Sequence, residues 1–129
     1  MSEITIAYIV SVLQIILAGG LINVWLVRSG RPTEYRGRGA HNMKEEFKAY
    51  GLPVWFMYII GFAKISVAFF LLVGLWYPAI VPWTLYLLVG LMLGAVSMHI
   101  KVRDPFKRAI PALLMLLLSL SALYFINLL

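Results

Sequence analysis

Lys64 stands alone in a long apolar run, about eleven residues from either end of Pro53–Leu75. An ammonium at the centre of a bilayer costs about 2.5–3.5 kcal/mol on insertion scales, and such groups face a bundle interior or a cavity. Gly61, Lys64 and Ala68 share one helix face, and small residues mark the side that packs. No carboxylate lies at matching depth in any other apolar run, so no salt-bridge partner is in prospect. Gln14, Ser119 and Ser121 are the plausible polar neighbours, and with Lys64 they form the candidate ligand-binding set. Two roles fit the lysine. It either meets the polar head of an anionic or carbonyl-bearing ligand, or it acts as structural glue by snorkelling or bonding to a backbone carbonyl.

His99 opens a second set. It lies one turn before a basic stretch, and with Asp104, Lys107 and Arg108 it is suited to grip a lipid head group or relay a proton. His41 is the only other histidine and there is no cysteine, so no metal site is expected. The same lack of cysteine removes disulfides, iron–sulfur clusters and c-type haem attachment. Glu45, Glu46 and Asp104 fall at or outside the membrane surface, where capping and solvation account for them. Phosphate loops, nucleophile elbows and catalytic carboxylate pairs are absent.

These residues must be carried by membrane helices. The chain of 129 residues is 63% hydrophobic and 12% charged, whereas a soluble domain is about half apolar and about a quarter charged. Four runs, Ile4–Val27, Pro53–Leu75, Ile80–Val102 and Pro111–Leu129, are each long enough to span a bilayer. Backbone groups in lipid have to pair within their own segment, so each run is predicted to be helical. The fold class is all-α: a four-helix transmembrane bundle forming one domain over residues 1–129.

Ten of the eleven Lys and Arg residues fall in two stretches, Arg28 to Lys48 and Lys101 to Arg108. Lys and Arg are retained on the cytoplasmic side, so both basic loops are predicted to be cytoplasmic, with both termini and the Trp76–Trp83 loop outside. This places the chain in the cytoplasmic (inner) membrane as a multi-pass protein. It also accounts for the net charge of +6 without a nucleic-acid partner. The first run reads as a span, since no positive residue precedes it and no small-residue cleavage pattern ends it. Trp25 and Trp55 are expected at the cytoplasmic boundary, Trp76 and Trp83 at the outer one.

The first basic loop is more than a turn. Ser29-Gly30-Arg31-Pro32 breaks the helix, and Arg36-Gly37-Arg38-Gly39 reads as flexible. Asn42-Met43-Lys44-Glu45 has the form of a capped helix start. Met43, Phe47 and Tyr50 then make one stripe, predicting a short amphipathic helix over 42–50 on the inner membrane surface, stopped by Gly51. Asp104-Pro105 looks like an N-cap followed by proline at the first helical position, and Pro111 either kinks the last helix or begins its spanning part. Gly90-x-x-x-Gly94, with Ala18-Gly19-Gly20 and Gly61, is expected to pack within the bundle, a homodimer face being the alternative.

Several of these residues together resemble the DoxX-like family of small four-helix membrane proteins. They are Met43-Lys44-Glu45-Glu46-Phe47 with Tyr50-Gly51-Leu52-Pro53, Gly61-x-x-Lys64, Leu71-Leu72-x-Gly74-x-x-x-Pro78, and Gly94-Ala95 followed by His99, Lys101, Asp104-Pro105, Lys107 and Pro111. The similarity covers roughly residues 43–129. It implies an integral membrane protein, in a family named after a small subunit associated with quinone-linked oxidation of sulfur compounds. Lys64, His99, Asp104 and Lys107 are the positions carried over as candidates.

The expectation for function is a non-catalytic accessory subunit or small lipid- or quinone-binding bundle. Its partners would be membrane lipids and a homodimer or larger membrane complex, with no nucleic acid. No cofactor is evident, quinone or lipid being the ligand classes considered. The alternative is a membrane-embedded enzyme, a quinone-linked oxidoreductase subunit or isomerase, using Lys64 and His99. These two lie about 12–15 Å apart along the axis by helical rise, which strains that reading. Polar residues are too few for one subunit to form a hydrophilic pore.

Overall fold

Ser2 starts the first helix by accepting the Thr5 amide at 3.1 Å, and Glu3 in the first turn complements the helix dipole. In the computed structural model, which describes residues 1–129, the chain is all-helical with no strand. Its helices are α1 (Glu3–Ile22), α2 (Met43–Ala49), α3 (Val54–Val73), α4 (Val81–Lys101) and α5 (Phe106–Asn127). A five-residue π segment, Asn23–Val27, extends α1. Four helices are long and apolar enough to cross a membrane: α1 with its extension, α3, α4 with the turn before it, and α5. Large apolar side chains point outward along all four, among them Ile15, Phe62, Leu87 and Leu117. A surface so apolar matches hydrocarbon as its solvent.

The four long helices form a ring in which α1 packs on α3, α3 on α4, α4 on α5 and α5 on α1. Leu17, Leu71, Leu85 and Leu88 are fully buried at its centre, with Ala18 and Ala68 keeping the backbones close. The last turn of α3 tightens, with Leu75 donating to Leu72 O and Trp76 to Val73 O. That leaves Leu71 O without its usual amide. Buried Gln14 supplies the missing donor at 2.8 Å, crossing from α1. Gly74 is needed beside it, because a Cβ there would collide with Val81.

Small residues divide into two kinds. Gly61 and Gly74 face neighbouring helices closely, whereas Gly90 and Gly94 would meet nothing within 4 Å and point outward. The expectation that Gly90-x-x-x-Gly94 packs inside the bundle is therefore not met: α4 turns Leu85, Leu88 and Met92 inward instead.

Helix ends at the basic side follow local chemistry. Asn42 accepts the Glu45 amide at 2.9 Å, and Glu45 returns a bond to the His41 amide at 2.7 Å, closing a capping box one residue wider than usual. The end of α2 is a Schellman motif, with Gly51 at φ +79°, Gly51 N–H on Lys48 O and Leu52 N–H on Phe47 O. The end of α4 repeats that pattern with Arg103 at φ +57° in the left-handed position. Asp104 does not cap α5. Pro105 occupies the cap position with extended backbone, and no side chain bonds there. Pro111 lies inside α5, five residues after its start, so the last helix begins earlier than the apolar run.

Candidate functional site

The π segment is what aims Trp25. Arg28 N–H reaches back five residues to Asn23 O at 2.9 Å, so one extra residue is fitted into the last turn. The indole then lies in the seam between α1 and α3 instead of facing lipid as a boundary anchor. Gly61 accommodates it: a Cβ at that position would lie 2.8 Å from two indole carbons. Lys64, one turn along α3 on the same face, sets its ammonium 5.2 Å from the centre of the same ring. The Gly61-x-x-Lys64 spacing is thus a seat for one tryptophan, with a cation over it. The ring is the only partner this ammonium has in the protein.

None of the expected polar neighbours reaches Lys64. Gln14 is committed to Leu71 O, Ser119 to Met115 O at 2.6 Å and Ser121 to Leu117 O at 2.8 Å. Gln14 is eleven residues from Trp25 along α1, a rise of about 16 Å. The serine hydroxyls bond to their own helix one turn back, the usual outcome for an isolated serine in a long helix.

Beside Trp25 runs a groove of about 550 Å³, within the size range of small-molecule sites. Trp25 and Leu26 form one wall, and Met57, Tyr58, Gly61, Phe62 and Ile65 of α3 form the other. Ser29, Gly30, Asn42, Met43 and Lys44 close the basic end. The groove is therefore apolar along its length and polar at one mouth. Lys64 is not part of its wall; it touches the groove only through Trp25.

At the basic end a second site emerges where a flexible loop and solvated acids were expected. Arg36 is 4% exposed. Its guanidinium donates to Glu46 Oε2 at 2.9 Å and to the carbonyls of Arg28, Ser29 and Arg31 at 2.6, 3.2 and 2.9 Å. Glu46 Oε1 accepts from the Gly37 amide at 3.1 Å and from Tyr50 Oη at 2.7 Å. Burial, with the Glu46 carboxylate beside it, pushes the Tyr50 phenol far above its ordinary value, so it stays a donor. Gly37 is required here, since a Cβ would come within 2.5 Å of the Tyr50 ring. Buried Glu46 thus neither caps nor solvates. Its position shows on the sequence after all, because Met43, Glu46, Phe47 and Tyr50 share one helix stripe.

Next to this cluster, His99, Asp104 and Arg108 come together as the sequence suggested. Asp104 Oδ2 meets His99 Nδ1 at 2.8 Å, while Oδ1 accepts Arg108 Nη1 and the Arg38 amide, both at 2.9 Å. Its side chain is 2% exposed. Burial works to raise its pKa, but the Arg38, His99 and Arg108 hydrogen bonds outweigh that and hold the carboxyl below its ordinary value. Lys107 stays apart, pairing with Glu34 at 3.2 Å on the exposed surface. Lys101, named in the basic stretch but not among the candidate site residues, donates to Tyr50 O at 2.8 Å. The loop is thereby stapled to α2, α4 and α5.

Lys64 and His99 do not meet. Three rings stand between them, Trp25, Phe47 and Tyr50, with successive centroids 6.0 Å apart on to His99. A small substrate touching one would not touch the other.

A family model described as the DoxX-like family matches residues 36–121, well over half of the chain. The chain belongs to the DoxX-like family. No curated protein and no solved structure matches it. The matched stretch of this DoxX-like protein begins at Arg36 and so includes Arg36, Glu46 and Tyr50 of the loop cluster, α2 and the α3 wall of the groove. Trp25 and the π segment lie outside it.

Proposed function

We propose that this chain is a non-catalytic membrane component that holds an amphiphile, a lipid or an isoprenoid quinone, in the groove beside Trp25. The observation that carries this reading is the groove itself, which offers apolar side chains over about two turns of α3 and polar groups at one mouth. An amphiphile lying alongside a membrane helix has that distribution of polarity. The basic end faces the cytoplasm, where Lys and Arg are retained, which puts both termini outside and α2 at the inner surface. Lys64 serves by holding the indole wall in place, and it does not itself touch the head of the ligand. The His99–Asp104–Arg108 cluster keeps the loop closed over the end of the bundle, and membrane lipids are the first partners.

Native mass spectrometry of the detergent-solubilised protein tests this reading. Wild type is expected to retain lipid or quinone, and Ile65→Trp, which fills the groove, to lose it. Lys64→Met is expected to retain less than wild type because Trp25 is no longer held. Equal retention in wild type and Ile65→Trp rejects the groove.

A further inference from the structure

The polar mouth of the groove carries one cation and no acid. Lys44 is exposed, and no acid pairs with it. The two acids next in sequence are already engaged: Glu45 accepts the His41 amide, and Glu46 holds Arg36, Tyr50 and the Gly37 amide. Asn42 spends its side-chain oxygen on the Glu45 amide, which leaves its NH₂ group free to donate. Ser29 has its carbonyl taken by the Met43 amide at 2.9 Å and by Arg36 at 3.2 Å. Its hydroxyl makes no bond within the protein. The Ser29 carbonyl and the Asn42 side-chain oxygen are therefore occupied, while the Lys44 ammonium, the Asn42 NH₂ and the Ser29 hydroxyl, all on residues lining this mouth, make no bond within the protein. No carboxylate lines the groove.

Such a rim complements a head group with negative charge and only acceptor oxygens. The apolar part begins directly behind it. From Met57 to Ile65 it runs eight residues along α3, about 12 Å of helix at the ordinary rise. Trp25, Leu26, Phe62 and Ile65 line it there. We infer that the groove is an anionic phospholipid site, with the phosphate on Lys44, Asn42 and Ser29 and one acyl chain between Trp25 and Phe62. This inference rests on the amphiphile reading above and adds the head-group class. A zwitterionic lipid carries a compensating cation that Lys44 repels, and a neutral quinone gains nothing from the lysine charge.

The experiment is competition between phosphatidylglycerol and phosphatidylcholine of matched chains for the full-length protein in one detergent, read by native mass spectrometry. Wild type is expected to prefer phosphatidylglycerol by roughly fivefold, the factor for one lysine acting near a membrane surface. Lys44→Gln brings the ratio close to one. Lys48→Gln, on the same helix but outside the groove, leaves it unchanged. Ile65→Trp lowers retention of both lipids. Lys44 and Lys48 are exposed, so neither change threatens folding.

A preference that survives Lys44→Gln, or that Lys48→Gln abolishes equally, overturns the head-group assignment. Equal retention of both lipids in wild type, lost in Ile65→Trp, also overturns it while leaving the amphiphile groove standing. Retention indifferent to Ile65→Trp removes both.

Discussion

Arg36 and Lys64 are two cations withdrawn from water by opposite means. Arg36 sits in an irregular loop, yet three carbonyls and a carboxylate saturate its guanidinium. Lys64 sits in a regular helix and has only the face of an indole. The planar fork of arginine suits several fixed oxygens at once, whereas a lysine on a flexible stem settles for one diffuse partner. A saturated cation ties the fold together and has nothing left for a ligand. An unsaturated one beside an open groove is expected to be dispensable to the fold and to matter, under the proposed function, for what the groove retains.

The sharpest way to break this contrast is to remove Arg36. Arg36→Met leaves Glu46 buried without its counter-ion and is expected to cost about 3–5 kcal/mol of stability. Thermal unfolding in detergent checks this, and adding Glu46→Leu to that variant should return only part of the loss, because the Gly37 amide and Tyr50 Oη then lose their acceptor. Gly37→Ala comes next, at about 1–3 kcal/mol, because its methyl runs into the Tyr50 ring and the ring cannot leave Glu46.

A smaller effect depends on pH. The folded-state pKa of Asp104 is depressed, so its contribution is present above the ordinary aspartate value of about 3.9 and is lost as pH falls through the folded value. Unfolding midpoints of wild type and Asp104→Asn should therefore differ near neutrality and converge in acid. A gap that persists at low pH contradicts the assignment. Least of all in stability is Lys64→Met, expected within about 1 kcal/mol of wild type, since the lost cation–π contact is offset by relief of desolvation. Should it unfold the protein as Arg36→Met does, the contrast between the two cations fails.

Features governed by neighbours in sequence were legible. The four spans follow from run length, Asn42 and Gly51 from capping chemistry, and the stripe of Met43, Phe47 and Tyr50 from helical period. Features that depend on distant neighbours were not. Arg36 finds Glu46 across an irregular loop, and nothing in their spacing announces the pair. The extra residue that turns Trp25 inward leaves no mark in composition. Gly90 and Gly94 carry the spacing of a packed face, but only the arrangement of the whole ring decides that they point outward. Arg103 occupies a left-handed position where glycine would have been the readable signal. Of the candidate site, the proximity of His99, Asp104 and Arg108 was legible from their closeness in sequence, but the groove and its Lys44 rim appear only when α1, α2 and α3 are brought together.

The central claim, that an amphiphile lies between Trp25 and α3, is tested most directly by photo-crosslinking with a phospholipid carrying a diazirine in its acyl chain. Label is expected to concentrate on peptides spanning residues 25–30 and 57–65 and to fall sharply in Ile65→Trp. Label spread evenly over the outward faces of α4 and α5, and unchanged by that substitution, would contradict it.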